Sequence, residues 1–230
     1  DTGNAFVWLS KPDNQGCGIS MNVPPYDALD AFTVPDGTYA RGGHHVSNGA
    51  TWAEGVARAL ALPGNARPAF ASSGLQASNY AVGGARAIAG YPCRFNLPDQ
   101  IGAYLADFPP TSAGTLVAIE IGGNDVRDAL VAAAMQQDPA PYIENALASV
   151  ANSIGTLYAH GARRFLLLNV PDVGKAPAVS MLGPVAVAGA TALAGQYNVN
   201  LEGLRLVLMQ ALPGSDIRIL NLYALLDDIV

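Results

Sequence analysis

Residues 115–121, Thr-Leu-Val-Ala-Ile-Glu-Ile, form a short, almost unbroken apolar run that stops at Gly122–Gly123. A run this short, apolar at successive positions and closed by glycine, predicts a strand buried on both faces, as in parallel sheets. Residues 165–170, Phe-Leu-Leu-Leu-Asn-Val, repeat the pattern and stop at Pro171; residues 217–222, Ile-Arg-Ile-Leu-Asn-Leu, give a third strand. Residues 76–82 read as a further strand ending at Gly83–Gly84. Between the runs the apolar period lengthens to helical spacing. Trp52, Val56 and Leu60 predict a helix over about 51–62, with Ser47–Asn48 as its cap. Ile101, Tyr104, Leu105 and Phe108 form a stripe that starts at Pro98–Asp99. Ile143, Leu147, Val150, Ile154 and Leu157 form another. Tyr197, Leu201, Leu204 and Leu208 mark a long helix, with Gly195 and Gly203 weakening its continuity. Strands alternating with helices imply a single α/β domain whose parallel sheet carries helices on both faces.

Other protein classes are excluded by composition. The chain is 50% hydrophobic and 13% charged, which excludes a disordered, fibrous or coiled-coil protein. Its net charge is −6, and Lys11 and Lys175 are the only lysines. Without a basic run, neither nucleic acid nor an anionic membrane surface is an expected partner. The apolar runs are broken well short of a membrane span, so no stable membrane insertion is expected. Cys17 and Cys93 permit one disulfide and exclude a cysteine-only zinc site. Residues 1–50, rich in Gly, Pro, Asn and Asp, read as a long loop region with room for one short helix.

Ligands of open parallel sheets bind beyond the carboxyl ends of the strands. Three such ends carry notable residues: Gly83–Gly84, Gly122-Gly123-Asn124-Asp125 and residues 169–172, Asn-Val-Pro-Asp. Glycines after a strand let the backbone turn sharply. An Asn at that turn offers an amide donor suited to an oxyanion hole. On spacing alone, helix capping by Asn124 or Asp125 is the simpler explanation of the same pattern. Gly83–Gly84 similarly fits either an unobstructed backbone N–H donor or an ordinary turn. Glu120, inside an apolar strand, either orients the loop carrying Asn124 or ends near solvent. His160 sits where a helix C-cap is expected, and His44–His45 in a glycine-rich loop. Asp227–Asp228 reads as a solvated helix or loop end, and Ser47 as a cap and not as a nucleophile.

Taken together and in this order, the segments resemble the conserved blocks of the SGNH hydrolases, or GDSL esterases/lipases. Asp1-Thr-Gly-Asn-Ala5 resembles the tail of the first block, which reads Gly-Asp-Ser-Leu-Ser-Asp-Thr-Gly-Asn. Ser47-Asn-Gly49 with Trp52 and Glu54 is similar to a Ser-Asn-Gly-x-x-Trp segment. Residues 79–85 and 122–125 resemble the second and third blocks. Residues 169–174 with Pro177, and Tyr223 onward with Asp228, resemble the segments that lead to the last block.

The resemblance implies a flavodoxin-like α/β/α sandwich and a carboxylic ester hydrolase, an esterase or lipase. Its chemistry uses a Ser nucleophile, a His base and an Asp that orients the His. It implies no metal and no organic cofactor. Carried over by position, the oxyanion donors fall on Gly84 N–H and the Asn124 amide, with Gly83 and Gly123 as substrate-contacting neighbours. The nucleophilic Ser is expected three residues before Asp1, and the Asp-x-x-His block after Val230. On that reading the chain is a piece of a hydrolase lacking the first strand and inactive by itself. The complete protein is expected to be secreted and to act on a small-molecule or lipid ester. In that setting Cys17 and Cys93 are candidates for a disulfide. The alternative is a non-catalytic acyl- or glycan-binding protein on the same fold.

Overall fold

All three apolar runs that close on Gly, Pro or a polar turn become strands. In the computed structural model, which describes Asn4 and residues 49–71, 77–90 and 95–229, these are β1 (Leu116–Glu120), β2 (Arg164–Leu168) and β3 (Asp216–Leu220). They pair in parallel in the order β1-β2-β3, from Leu116 opposite Arg164 opposite Asp216 to Glu120 opposite Leu168 opposite Leu220. The carboxyl ends of all three therefore share one edge.

Around the sheet lie α3 (Gly123–Ala134) and α4 (Ala140–Ala159), which connect β1 to β2. The short α5 (Pro177–Ser180) and the long α6 (Pro184–Ala211) connect β2 to β3, and α7 (Leu222–Ile229) follows. The helical stripe of α4 is buried as its spacing predicts: Ile143, Leu147, Val150, Ile154 and Leu157. On α6, Ala190, Ala194, Tyr197, Leu201 and Leu208 form the buried stripe. Small residues at Ala129 on α3 and Ala190 and Ala194 on α6, all fully buried, let helices approach closely where α3 packs on α6. Gly195 and Gly203 do not interrupt α6, which runs unbroken for 28 residues.

The sheet is unevenly covered. Ile119, Phe165, Leu167 and Ile217 share one face and are buried. On the opposite face Leu168 is buried, whereas Leu116 and Leu220 are 46% and 43% exposed. The expectation that β1 is buried on both faces is thus corrected: only Ile119 of β1 is buried. As an outer strand of this sheet it has one strand neighbour among the described residues. Glu120 is exposed, which accounts for a carboxylate in an apolar run.

These elements belong to one of two compact units, comprising Ala85–Gly90, Asn96–Asp99 and Pro109 onward. The other holds the described residues up to Gly84, with Phe95 and Gln100–Phe108. It contains α1 (Trp52–Ala59) and most of α2 (Leu97–Asp107), both close to their expected positions. The cap of α1 is Thr51, whose N–H donates to the Glu54 carboxylate at 2.8 Å; Ser47–Asn48 lies outside the described residues. Aromatic rings build this unit's interior. Phe70 meets Tyr80 and Phe95 edge-on, with ring centroids 6.1 and 5.1 Å apart, and Tyr80 meets Tyr104 at 5.6 Å.

The strand expected over 76–82 is not a ladder strand. Its described part, from Ala77, makes one isolated bridge among the described residues, Pro68 to Asn79. The backbone groups that a neighbouring strand would take are engaged otherwise. The Asn4 amide donates to Asn79 O at 2.6 Å and to Ala81 O at 2.9 Å, while Ala69 N–H also donates to Asn79 O.

Candidate active site

Gly83–Gly84 forms the turn that follows residues 77–82 in the first unit. Gly84 has φ +80°, a left-handed conformation that excludes most side chains and explains the residue choice. The segment leading to it is fixed by Asn4, a fully buried carboxamide that also accepts Phe70 N–H at 3.1 Å. Tyr80 anchors the same segment from inside, its hydroxyl donating to Asp107 at 2.5 Å. Burial and the adjacent Asp107 carboxylate raise the Tyr80 pKa well above its ordinary value, so it serves as a donor.

In the second unit, β1 ends at Glu120 and the chain turns through Gly122 at φ +114°. The Tyr197 ring lies where a Cβ on Gly122 would sit, and its hydroxyl donates to Ile121 O at 3.2 Å. Helix α3 opens immediately after, with Asn124 and Asp125 in its first turn. Neither side chain has capping as its main contact. The Asn124 amide donates to Ala85 O at 2.9 Å, and the Asp125 carboxylate accepts Ala87 N–H at 3.0 Å.

These bonds are part of a fuller set around residues 85–87. Arg86 N–H donates to Asn96 Oδ1 at 3.0 Å, and Arg86 O accepts Leu97 N–H at 3.0 Å. Ser149 Oγ of α4 donates to Ala87 O at 2.5 Å. The Arg86 guanidinium grips Asp128 of α3 with two bonds, at 2.8 and 2.9 Å, in a nearly buried ion pair. Asp125 itself is 2% exposed. Burial pushes its carboxyl up from 3.8 to about 6, against the opposing pull of Ala87 N–H and the Arg86 charge.

The carboxyl end of β2 is polar and closely bonded. Asn169 donates to Asn221 Oδ1 at 2.9 Å and accepts Tyr223 N–H, tying this end to the start of α7. Asn198 of α6 makes a two-way amide pair with Val170, at 2.9 and 2.7 Å. Asp172 accepts Gly174 N–H and the Thr191 hydroxyl at 2.9 and 2.7 Å. The Asn and Asp residues at this strand end thus brace the loops of the shared edge.

Residue by residue, Asn124 and Gly123 stand in the first turn of α3, beyond the carboxyl end of β1. A Cβ at Gly123 would meet nothing within 4 Å, so the backbone there is open. Gly83 and Gly84 form a turn in the other unit. His160 caps α4, its Nδ1 2.8 Å from Thr156 O. Asp227, on exposed α7, pairs with Lys175 at 2.7 Å. His44, His45, Ser47, Cys17 and Cys93 lie outside the described residues. No group of three or more His, Cys, Asp or Glu side chains is placed to hold a metal among the described residues. Sequence reasoning assigned no role to Asn4, Arg86, Asn96 or Asp128. The spacing of Asp125 and Asp128, three apart on one helix face, was the one available signal for the braced segment.

Chemically, an Asn side chain carries two N–H bonds on one nitrogen, and Ala85 O takes one of them. That bond fixes the orientation of the amide. A family model described as GDSL-like Lipase/Acylhydrolase matches residues 14–229. No curated protein matches the chain.

Proposed function

Because the chain belongs to the GDSL-like lipase/acylhydrolase family, and is on that ground a hydrolase with the SGNH α/β fold, we propose that it acts in carboxylic ester hydrolysis and supplies the oxyanion donors. On this reading Asn124 donates its second amide N–H, and Gly84 its backbone N–H, to the developing negative charge on the ester carbonyl oxygen. Gly83 and Gly123 leave room for the substrate beside them. A Ser hydroxyl attacks the acyl carbon as a His takes its proton, and an Asp orients that His. Water then releases the acyl group from the Ser. The sequence contains neither Gly-Asp-Ser nor Asp-x-x-His, and on this reading the nucleophile, base and acid are not among these 230 residues. The complete protein is a secreted esterase or lipase whose chemistry uses no metal and no organic cofactor. On this reading it takes small or lipid esters, and neither nucleic-acid binding nor stable membrane insertion is expected of these 230 residues.

The observation that carries this reading is the placement of Asn124. It lies in the first turn of α3, beyond the carboxyl end of β1, with its amide oriented by Ala85 O. The test uses short-chain p-nitrophenyl esters. The 230 residues alone are expected to hydrolyse them no faster than buffer, and the protein with its native flanks is expected to turn them over. In that longer protein, Asn124→Ala should lower kcat by about 10²–10³, the usual loss for an oxyanion donor. Unchanged turnover would remove Asn124 from the mechanism. Saturable ester binding without turnover in the flanked protein would point instead to the binding-protein reading.

A further inference from the structure

Five backbone polar groups of residues 85–87, a short strap, are held by hydrogen bonds. Ala85 O, Arg86 N, Arg86 O, Ala87 N and Ala87 O each have a partner, contributed by Asn124, Asn96, Leu97, Asp125 and Ser149. Two of these partners, Asn124 and Asp125, are consecutive residues of the first turn of α3. One donates to the strap and the other accepts from it. This reciprocal arrangement makes the orientation of the Asn124 amide depend on where the strap lies. Moving Ala85 O by a fraction of its hydrogen-bond length would turn the amide away from the direction it now has.

We propose that Asp125 is a positioning residue for the hydrolysis, holding the strap by Ala87 N–H so that Ala85 O in turn orients the Asn124 amide. The inference rests on the oxyanion role proposed for Asn124 and adds a residue that acts through it. A neutral side chain would fill the position without bringing a charge into the interior. Asp125 is a buried carboxylate whose protonation is favoured by burial. The charged and titratable groups that face it are Arg86 on the strap, Asp128 on its own helix and Tyr197 on α6. Of these, only Arg86 carries a positive charge, and its bidentate contact is with Asp128. A costly, incompletely compensated carboxylate is common where placement of a neighbour matters for chemistry.

A double-mutant cycle on the flanked protein tests this, with a p-nitrophenyl ester as substrate. Asp125→Ala is expected to lower kcat about 10–100-fold, the loss typical of a misplaced catalytic group. KM should stay within about twofold, because ground-state binding is not what the strap supplies. Asp125→Asn keeps an acceptor for Ala87 N–H and should recover most of the lost kcat. The deciding result is coupling. Once Asn124 is Ala, adding Asp125→Ala should change kcat by less than about twofold, since the two residues act as one unit. Independent, multiplying losses would overturn the inference while leaving Asn124 in place. An inert Asn124→Ala, by contrast, is a failure of the oxyanion reading itself. If Asp125→Ala does not fold, Asp125→Ser enters the cycle instead, being polar but too short to reach Ala87 N–H.

Discussion

At the scale of single residues, the structure turns on side chains bonded to distant backbone. Asn4 replaces a strand neighbour for Asn79 and Ala81, 75 and 77 residues away in sequence. Such a contact leaves no periodicity and no local signature, which is why residues 76–82 read as a strand. Asn124, by contrast, was legible as a candidate donor, because an Asn after two glycines at a strand end can aim its amide over the sheet edge, although helix capping accounts for the same pattern. Its partner Ala85 was not legible. Asp125 shows the energetic side of the same arrangement. Its folded pKa of about 6 exceeds the ordinary 3.8, so the folded state holds the proton more tightly than the unfolded chain. The associated stability is fully present below pH 3.8 and is lost as the pH rises through 6. The shift of roughly two units corresponds to about 3 kcal/mol lost by pH 7. Asp125→Asn cannot titrate. Urea unfolding of wild type between pH 4 and 7 should show this loss on top of the other titrations. The Asn variant should lack it, giving a stability difference that moves in its favour as the pH rises. A difference between the two proteins that is independent of pH would show that Asp125 is not shifted.

At the scale of elements, apolar spacing located the parallel strands and the main helices to within a few residues. It did so because these elements take their stability from one buried stripe or run. The α1 cap was displaced, since Thr51 with Glu54 forms the bonded pair that was looked for at Ser47–Asn48. The glycines are where spacing was least informative, because the same residue type does opposite work. Gly122 turns at φ +114° with the Tyr197 ring occupying the space of a Cβ. Gly203 sits exposed inside α6, where a Cβ would meet nothing within 4 Å. Gly122→Ala therefore combines backbone strain with a clash against a buried ring, and should destabilise by about 2–4 kcal/mol. Gly203→Ala should stabilise by about 0.5–1 kcal/mol, by removing backbone freedom from the unfolded chain within a helix. Thermal unfolding of the two variants beside wild type checks both signs. A Gly203→Ala variant with a lowered Tm would mean that α6 is not a regular helix there.

For the molecule as a whole, the parallel α/β character was legible from three apolar runs, and the shared edge followed from their parallel direction. The coverage of the sheet was not legible, because a run apolar at both parities does not reveal which parity meets a helix. The structure separates them. Phe165, on β2, is 1% exposed and shares its face with Ile119, Leu167 and Ile217. Leu116, on β1, is 46% exposed on the other face. The area term of the hydrophobic effect counts only surface removed from water, so equal-looking apolar residues differ in what they contribute. Phe165→Ala loses its transfer free energy and leaves a cavity in the covered face, a loss of about 3–5 kcal/mol. Leu116→Ala removes a side chain that is already half in water and should destabilise by less than about 1 kcal/mol. Urea unfolding of the 230-residue chain and the two variants measures the contrast, with equal slopes required for the comparison. If Leu116→Ala proved as damaging as Phe165→Ala, the second face of the sheet would have to be covered in solution, and the uneven burial of β1 would be wrong.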